Sequence, residues 1–149
     1  MLDGIFYTQL RVGKVGEEAV LDWLRQRHDV RDVREDKEYQ KQDIDFIVDE
    51  AVSLEVKTDN NISRTGNIYI ETYKGGWYEY CGADYLGIYS PQTAKLYILD
   101  YQRLKSILPT FGRTIKHIDK DTNLAVPATL LSISAAKYAG AITQEINLN

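Results

Sequence analysis

The chain has 149 residues, of which 44% are hydrophobic and 27% charged, a balance typical of a folded protein and not of a disordered or low-complexity chain. The length is too small for two domains with independent cores, so we expect a single domain over residues 1–149. Cys81 is the only cysteine, which excludes an intramolecular disulfide and a cysteine-based zinc site.

The net charge of −4 is unevenly distributed, because residues 1–60 contain 15 Asp and Glu against nine Lys and Arg. An acidic protein is a poor candidate for tight, unspecific binding to nucleic acid, but an acidic region can hold a divalent cation that restores positive charge locally. The start of the chain lacks the features of a signal peptide, and no apolar stretch is long enough to span a bilayer. We therefore expect an intracellular, cytoplasmic protein without a membrane partner.

Helical spacing of the apolar residues predicts a first helix over residues 13–28. Three strands are predicted after it, over residues 29–36, 43–49 and 52–58. Because the connection between the last two strands is short, we expect them to form a β-hairpin.

The rest of the chain predicts shorter elements. Strands are expected over residues 67–72, 84–90 and 95–100, and helices over residues 77–82 and 101–108. Pro109 is expected to stop the second of these helices, and Ser134 to cap a short helix that ends near Gly140. The remainder of residues 109–149 carries no readable pattern. Together these elements predict an α/β protein with a mixed, mainly antiparallel central sheet flanked by helices.

The second strand of the hairpin alternates apolar and charged residues. Because successive side chains of a strand point to opposite faces, Leu54 and Val56 are expected to be buried, and Glu55 and Lys57 to lie about 7 Å apart on the other face. The plain alternative is a solvated face, since opposite charges are common on half-exposed strands.

The first strand of the hairpin carries two aspartates. Asp43 and Asp45 are expected on one face and Ile44 and Phe46 on the other, so that antiparallel pairing can bring an aspartate close to Glu55. Two converging carboxylates repel each other unless a cation lies between them, and Mg²⁺ binds one or two carboxylates together with water and phosphate oxygens. A neighbouring lysine can orient or deprotonate an attacking water, and such a set suffices to hydrolyse a phosphodiester.

The predicted helix offers a third carboxylate. Glu17 precedes Val20 by three residues and Leu24 by seven, which places it at the edge of the buried stripe, where it can point into the site. In the first turn of the predicted helix, a glutamate is also favoured by the helix dipole, whatever the function. Glu18 points elsewhere and is the weaker candidate.

The order of these residues resembles the PD-(D/E)xK nuclease superfamily, which includes restriction endonucleases and Holliday-junction resolvases. The matching segments within residues 13–58 are Gly16-Glu17, Asp43-Ile-Asp45-Phe-Ile-Val48 and Ser53-Leu-Glu-Val-Lys-Thr58. The stretch Arg64-Thr-Gly-Asn-Ile-Tyr-Ile-Glu71 also resembles phage- or prophage-borne members of this group.

The resemblance implies a restriction-endonuclease-like core and an endonuclease that acts on duplex or branched DNA with Mg²⁺ or Mn²⁺. It implies that Asp45 and Glu55 bind the metal and that the backbone carbonyl of Val56 completes the metal shell. It further implies that Glu17 reaches the metal directly or through water, and that Lys57 positions or activates the nucleophilic water.

Several alternatives stay open at this point. No proline precedes Asp45, unlike in the family motif, and Asp43 competes for the same role. The same fold can serve as a non-catalytic subunit that binds DNA or a partner protein. Duplex DNA, branched DNA, single strands and RNA are all compatible substrates. Because symmetric cleavage of a duplex or junction usually requires two sites related by a twofold axis, we expect a homodimer.

Other residues have weaker patterns. Trp77 and Tyr78, beside Gly75-Gly76, are the aromatic residues that we expect to be available for base stacking. The candidate phosphate contacts are Lys41, Arg64 and Lys74. His28 and His117 are expected to be structural. The chain lacks a Gly-x-Ser-x-Gly motif and a Walker A loop, which argues against a serine hydrolase and an ATPase.

Overall fold

The computed structural model describes residues 2–72, 76–118 and 123–149. The helices are α1 (Leu2–Arg25), α2 (Lys37–Gln40), α3 (Ile62–Thr65), α4 (Trp77–Tyr80), α5 (Tyr101–Phe111) and α6 (Ile133–Tyr138). The strands are β1 (Val30–Asp32), β2 (Phe46–Val48), β3 (Val52–Thr58), β4 (Asn67–Ile70), β5 (Tyr85–Ser90), β6 (Lys95–Asp100), β7 (Arg113–Ile118), β8 (Ala125–Ser132) and β9 (Ile142–Asn147). None of the described helices is long and apolar enough to cross a membrane.

Six strands form the larger sheet, in the order β1–β2–β3–β5–β6–β9. β3 and β5 pair in parallel, whereas the other neighbours in this order pair antiparallel. The predicted α/β class, with a mixed and mainly antiparallel sheet and helices, is therefore confirmed. The predicted hairpin of β2 and β3 is confirmed as well, and β3 has the predicted bounds.

The remaining strands form a second, antiparallel sheet in the order β4–β8–β7. The strand predicted over residues 67–72 corresponds to β4. β7, β8 and β9 lie in the part of the sequence that carries no readable pattern.

Two apolar clusters cover opposite faces of the larger sheet. On one face, α1 packs through Val20 and Leu21 against Leu54 and Val56 of β3. The residues between them on β3 point to the other face, where a larger cluster gathers side chains from β5, β6, α5 and the second sheet. The register of β3 and β5 agrees, because Glu55 lies beside Leu86, a member of that larger cluster.

The first helix differs from its prediction at both ends, because α1 runs over Leu2–Arg25 and not over residues 13–28. It ends early because the amide of Asp29 donates to the carboxylate of Asp49, and the amide of Asp49 donates to the carbonyl of Asp29. These bonds direct the chain towards the hairpin. Glu17 therefore lies well inside α1, and a favourable position near the helix N-terminus does not explain it.

Two further helix ends differ from the prediction. Pro109 lies inside α5 and does not stop it. The lost hydrogen bond concerns the carbonyl of Lys105, four residues earlier, and this exposed residue can bond to water instead. In α6, Ser132 and not Ser134 is the cap, since Oγ of Ser132 accepts from the amide of Ala135 at 3.1 Å.

Ile44 and Phe46 do not share a face, contrary to the expected alternation. β2 begins only at Phe46, and Asp43 has a left-handed backbone conformation with φ of 53°. The alternation is therefore interrupted before the strand. Ile44 packs in the larger cluster, whereas Phe46 packs with α1.

Candidate active site

The two strands of the hairpin differ in length, and β3 extends beyond the residues that pair with β2. β2 begins at Phe46, opposite Leu54, whereas β3 continues to Thr58. Asp45 directly precedes β2, and its Oδ2 accepts a hydrogen bond of 2.8 Å from the amide of Val56. In an extended strand the N–H and C=O groups of one residue point to the same side, so the carbonyl of Val56 also faces the side of Asp45.

Glu55 and Lys57 lie next to Asp45 on β3. Glu55 is only 5% exposed, and its Oε1 lies 3.0 Å from Nζ of Lys57, whose side chain is 35% exposed. The sequence-based expectation that these two side chains lie side by side is confirmed. The alternative of a solvated face is wrong for Glu55, because this carboxyl group is buried.

Glu17 reaches the same place from α1. Its carboxyl group lies close enough to that of Asp45 for each to change the pKa of the other, and Asp45 interacts in the same way with Glu55. Carboxyl groups so close together share a proton or repel each other. The three carboxyl groups therefore form a row in which Asp45 is the centre, and we name Glu17, Asp45 and Glu55 the carboxyl row.

The residues on either side of Glu17 hold α1 in place. Gly16 packs so closely against β3 that a Cβ atom there would lie 2.0 Å from Oγ1 of Thr58. Glu18 accepts a hydrogen bond of 2.6 Å from Arg34, which also binds Asp32 at 2.7 Å and 2.9 Å. Both contacts tie the helix to the sheet at the level of the carboxyl row.

The environment of the carboxyl row disfavours negative charge. Burial, together with the charges of Asp45 and Asp43, raises the pKa of Glu55 to about 9, although Lys57 opposes this change. Burial and the neighbouring Asp45 raise the pKa of Glu17 to about 7. Burial also raises the pKa of Asp45, against the hydrogen bond from Val56. Such a group of buried acids releases its protons easily only when another cation replaces them.

Lys57 keeps its positive charge in this environment. Burial alone lowers the pKa of a lysine, but the carboxylates of Glu55, Asp43 and Asp45 outweigh that effect, and the pKa of Lys57 is raised. The side chain is therefore an ammonium group at neutral pH, which donates hydrogen bonds and accepts none.

Asp43 occupies a different place from Asp45. It influences Glu55 and Lys57 through its charge, whereas Asp45 is in direct contact with Val56, Glu17 and Glu55. Of the two aspartates that competed in the sequence, Asp45 is the one that lies in the carboxyl row.

The donor set suits a hard cation, although it is not pre-arranged around one. In the described part of the chain, no group of three or more His, Cys, Asp or Glu side chains has the geometry to hold a metal ion. The carboxyl groups of Asp45 and Glu55 contact each other instead. Two carboxylates and a backbone carbonyl are nevertheless oxygen donors of the kind that Mg²⁺ binds, with water filling its other positions. The residues present therefore fit this cation chemically.

The other predicted residues lie in various places. Trp77 and Tyr78 are half-buried and pack against the larger cluster. Arg64 donates to the side-chain oxygen Oδ1 of Asn61 at 3.2 Å, and Lys41 donates to the carboxylate of Glu38 at 3.5 Å. Nδ1 of His28 lies 2.8 Å from Asp49, which agrees with a structural role. Lys74, Gly75 and the side chain of His117 lie outside the described residues.

Sequence reasoning assigned no role to three residues that position the site. Gly16 carried a usable signal, because a glycine inside a helical pattern often marks close packing. Arg34 and Thr58 carried none, since Glu18 and Gly16, the residues of α1 that they contact, are distant from them in sequence.

Comparison of the chain with protein-family models, with curated proteins and with solved structures gives no match. The class of protein must therefore be argued from the site itself.

Proposed function

We propose that this protein is a metal-dependent nuclease that hydrolyses phosphodiester bonds, namely an endonuclease acting on duplex or branched DNA, with a restriction-endonuclease-like core of the PD-(D/E)xK kind. One observation carries the proposal: the carboxyl group of Asp45 contacts those of both Glu17 and Glu55, and the Lys57 ammonium lies 3.0 Å from Glu55. Helix α1, the residue that precedes β2, and strand β3 thus bring three acids and a lysine together.

The carboxyl row supplies the ligands for Mg²⁺ or Mn²⁺. Asp45, Glu55 and the carbonyl of Val56 would hold the ion, and Glu17 would join them directly or through water. When bound, such a cation neutralises charge on the scissile phosphate and acidifies a water molecule. The raised pKa values of Glu17 and Glu55 support this assignment, because a divalent cation is the natural replacement for the protons that these buried groups retain.

Lys57 would orient the attacking water and balance negative charge on the phosphate. An ammonium group cannot accept a proton from water, so its raised pKa favours positioning and charge stabilisation over proton abstraction. The water oxygen would form the new bond to phosphorus and release a proton to solvent, while the bond to the leaving oxygen breaks and that oxygen takes up a proton from solvent. Cleavage of both strands of a duplex would require two such sites, and we therefore propose a homodimer.

The test is incubation of the purified protein with linear duplex, single-stranded and four-way-junction DNA in Mg²⁺, Mn²⁺ or EDTA. Lys57→Ala tests the site. Lys95→Ala is the matched control, because Lys95 also forms an ion pair with a glutamate, namely Glu145 on the neighbouring strand, at 3.2 Å. We expect cleavage that needs the metal, is lost in Lys57→Ala and persists in Lys95→Ala.

Two results would change the proposal. If Lys57→Ala cleaves as fast as the unaltered protein, the mechanism is wrong. If the protein binds DNA without cutting it under any of these conditions, the alternative of a non-catalytic DNA- or partner-binding subunit replaces the nuclease.

A further inference from the structure

The aromatic ring of Trp77 lies against the ammonium group of Lys57. Trp77 is the first residue of α4 and is half-buried. The centroid of its ring lies 5.6 Å from Nζ of Lys57, within the range at which a cation is attracted to the face of an indole. The lysine therefore has two partners, the Glu55 carboxyl group and the Trp77 ring.

A chain of aromatic contacts holds the Trp77 ring in place. Tyr78 packs edge-on against Trp77, with ring centroids 6.2 Å apart, and Tyr101 packs in the same way against Tyr78 at 5.9 Å. Tyr101 is 2% exposed and donates its hydroxyl hydrogen bond to the backbone carbonyl of Tyr78. The position of the indole is thus determined by α5, which lies in the core of the larger cluster.

The contact with the Trp77 ring matters because Glu55 is also a proposed ligand of the cation. A lysine side chain is a flexible four-carbon stem that ends in a point charge. In the proposed nuclease, Glu55 would hold a cation through its carboxylate oxygens, and this would compete with their contact to Lys57. The indole face attracts the ammonium group of Lys57 and does not contact the carboxylates that would bind the cation. The contact between Trp77 and Lys57 can therefore persist when Glu55 binds the cation.

We propose that Trp77 is a positioning residue, whose ring keeps the Lys57 ammonium beside the carboxyl row while Glu55 binds a cation. This inference rests on the proposed nuclease function. It assigns Trp77 a role towards the lysine, in place of the base stacking that its sequence context suggested.

The kinetic test compares two substitutions at Trp77. Trp77→Leu removes the aromatic face, and we expect it to lower kcat about 10-fold, the loss of a cation–π contact of moderate strength. KM and the affinity for Mn²⁺ stay unchanged, because no ligand is altered. Trp77→Phe keeps an aromatic face and retains at least about a third of kcat. If Trp77→Leu matches the unaltered protein, or if Trp77→Phe is no better than Trp77→Leu, the inference is wrong.

The chain offers a matched control for the loss of an indole. The ring of Trp23, which is half-buried like that of Trp77, lies 4.1 Å from the guanidinium carbon of Arg27, also in a cation–π contact, but near the C-terminal end of α1. Trp23→Leu should leave kcat and KM unaltered. A loss equal to that of Trp77→Leu would indicate a general effect on the fold and overturn the specific role.

A spectroscopic test does not depend on cleavage or on the stability of a Trp77 variant. The chain has two tryptophans, so Trp77 is the sole tryptophan in Trp23→Phe, and excitation beyond the absorption of tyrosine reports on it alone. In that background we expect Lys57→Met to change the Trp77 emission, and Lys105→Met, which removes an ammonium lying 4.6 Å from the Tyr101 ring centroid, to leave it unchanged. If the Trp77 emission is the same with and without Lys57→Met, the contact and the inference are refuted. A changed emission without metal-dependent cleavage confirms the contact and shows that the proposed nuclease function is wrong.

Discussion

Replacing Gly16 by alanine tests the contact that places Glu17 in the carboxyl row. The new Cβ would lie 2.0 Å from Oγ1 of Thr58 and 3.2 Å from the ring of Tyr89. The first distance is about 1.5 Å shorter than an ordinary contact, and the β-branched threonine has little rotameric freedom to yield. Overpacking of this kind costs about 1–3 kcal/mol, while glycine to alanine inside a helix gains about 1 kcal/mol. We expect a net loss of up to about 2 kcal/mol in the free energy of unfolding, which corresponds to a fall in Tm of up to about 6 °C.

Two matched variants separate the close contact from the helix propensity. Gly13 lies in the same helix, and a Cβ atom added there would have nothing within 4 Å, so Gly13→Ala should raise the free energy of unfolding by about 1 kcal/mol. Thr58→Ala removes the obstructing hydroxyl, and adding it to Gly16→Ala should recover most of the lost stability. Urea and thermal unfolding of the unaltered protein, the three single variants and the double variant measure these differences. Equal stabilities of Gly16→Ala and Gly13→Ala, or no recovery in the double variant, would refute the reasoning.

Three further predictions concern the same region. Asp45→Asn should weaken Mn²⁺ binding at least about tenfold in a calorimetric titration, and an unchanged titration would move the metal role to Asp43. Thr58→Val should raise the free energy of unfolding by about 1 kcal/mol, because Oγ1 of Thr58 is buried without a hydrogen-bond partner; a loss of stability in urea unfolding would contradict this. Because the folded-state pKa of Glu55 is raised to about 9 from 4.5, the folded state holds more protons between these pH values, so metal-free stability falls as pH rises through this window. Glu55→Gln should reduce that fall in the free energy of unfolding by about 1.4 kcal/mol or more. If the free energy of unfolding in EDTA changes equally between pH 5 and 9 in Glu55→Gln and in the unaltered protein, the prediction is wrong.

The hairpin could be predicted because its pattern is local. β3 has seven residues that alternate between two faces, and its bounds follow from β-rich residues on both sides of a short turn. The burial of Leu54 and Val56 and the pairing of Glu55 with Lys57 follow from the same alternation. No knowledge of the rest of the chain is needed for these conclusions.

The C-terminal strands could not be predicted because their stability is not local. β7 alternates charged and apolar residues only in part, and β8 contains a proline, Pro127, which lies opposite Lys116. β8 gains its place by pairing with β7 on one side and with β4 on the other. β4 is separated from β8 by more than 50 residues, so a pattern within a short window does not reveal this pairing.

The carboxyl row depends on a feature that alternation along one strand cannot describe. Alternation places α1 against the face of Leu54 and Val56 and places Glu55 on the opposite face, which would keep Glu17 and Glu55 apart across a continuous sheet. They are linked because β2 begins at Phe46, so that Asp45 lies at the end of the pairing, where its amide donates to the carbonyl of Leu54 and its carboxyl group contacts both of them. The left-handed backbone of Asp43 accompanies this interruption. The point where a strand begins is therefore as important for the site as the identity of its acids, and this point is set by contacts distant in sequence.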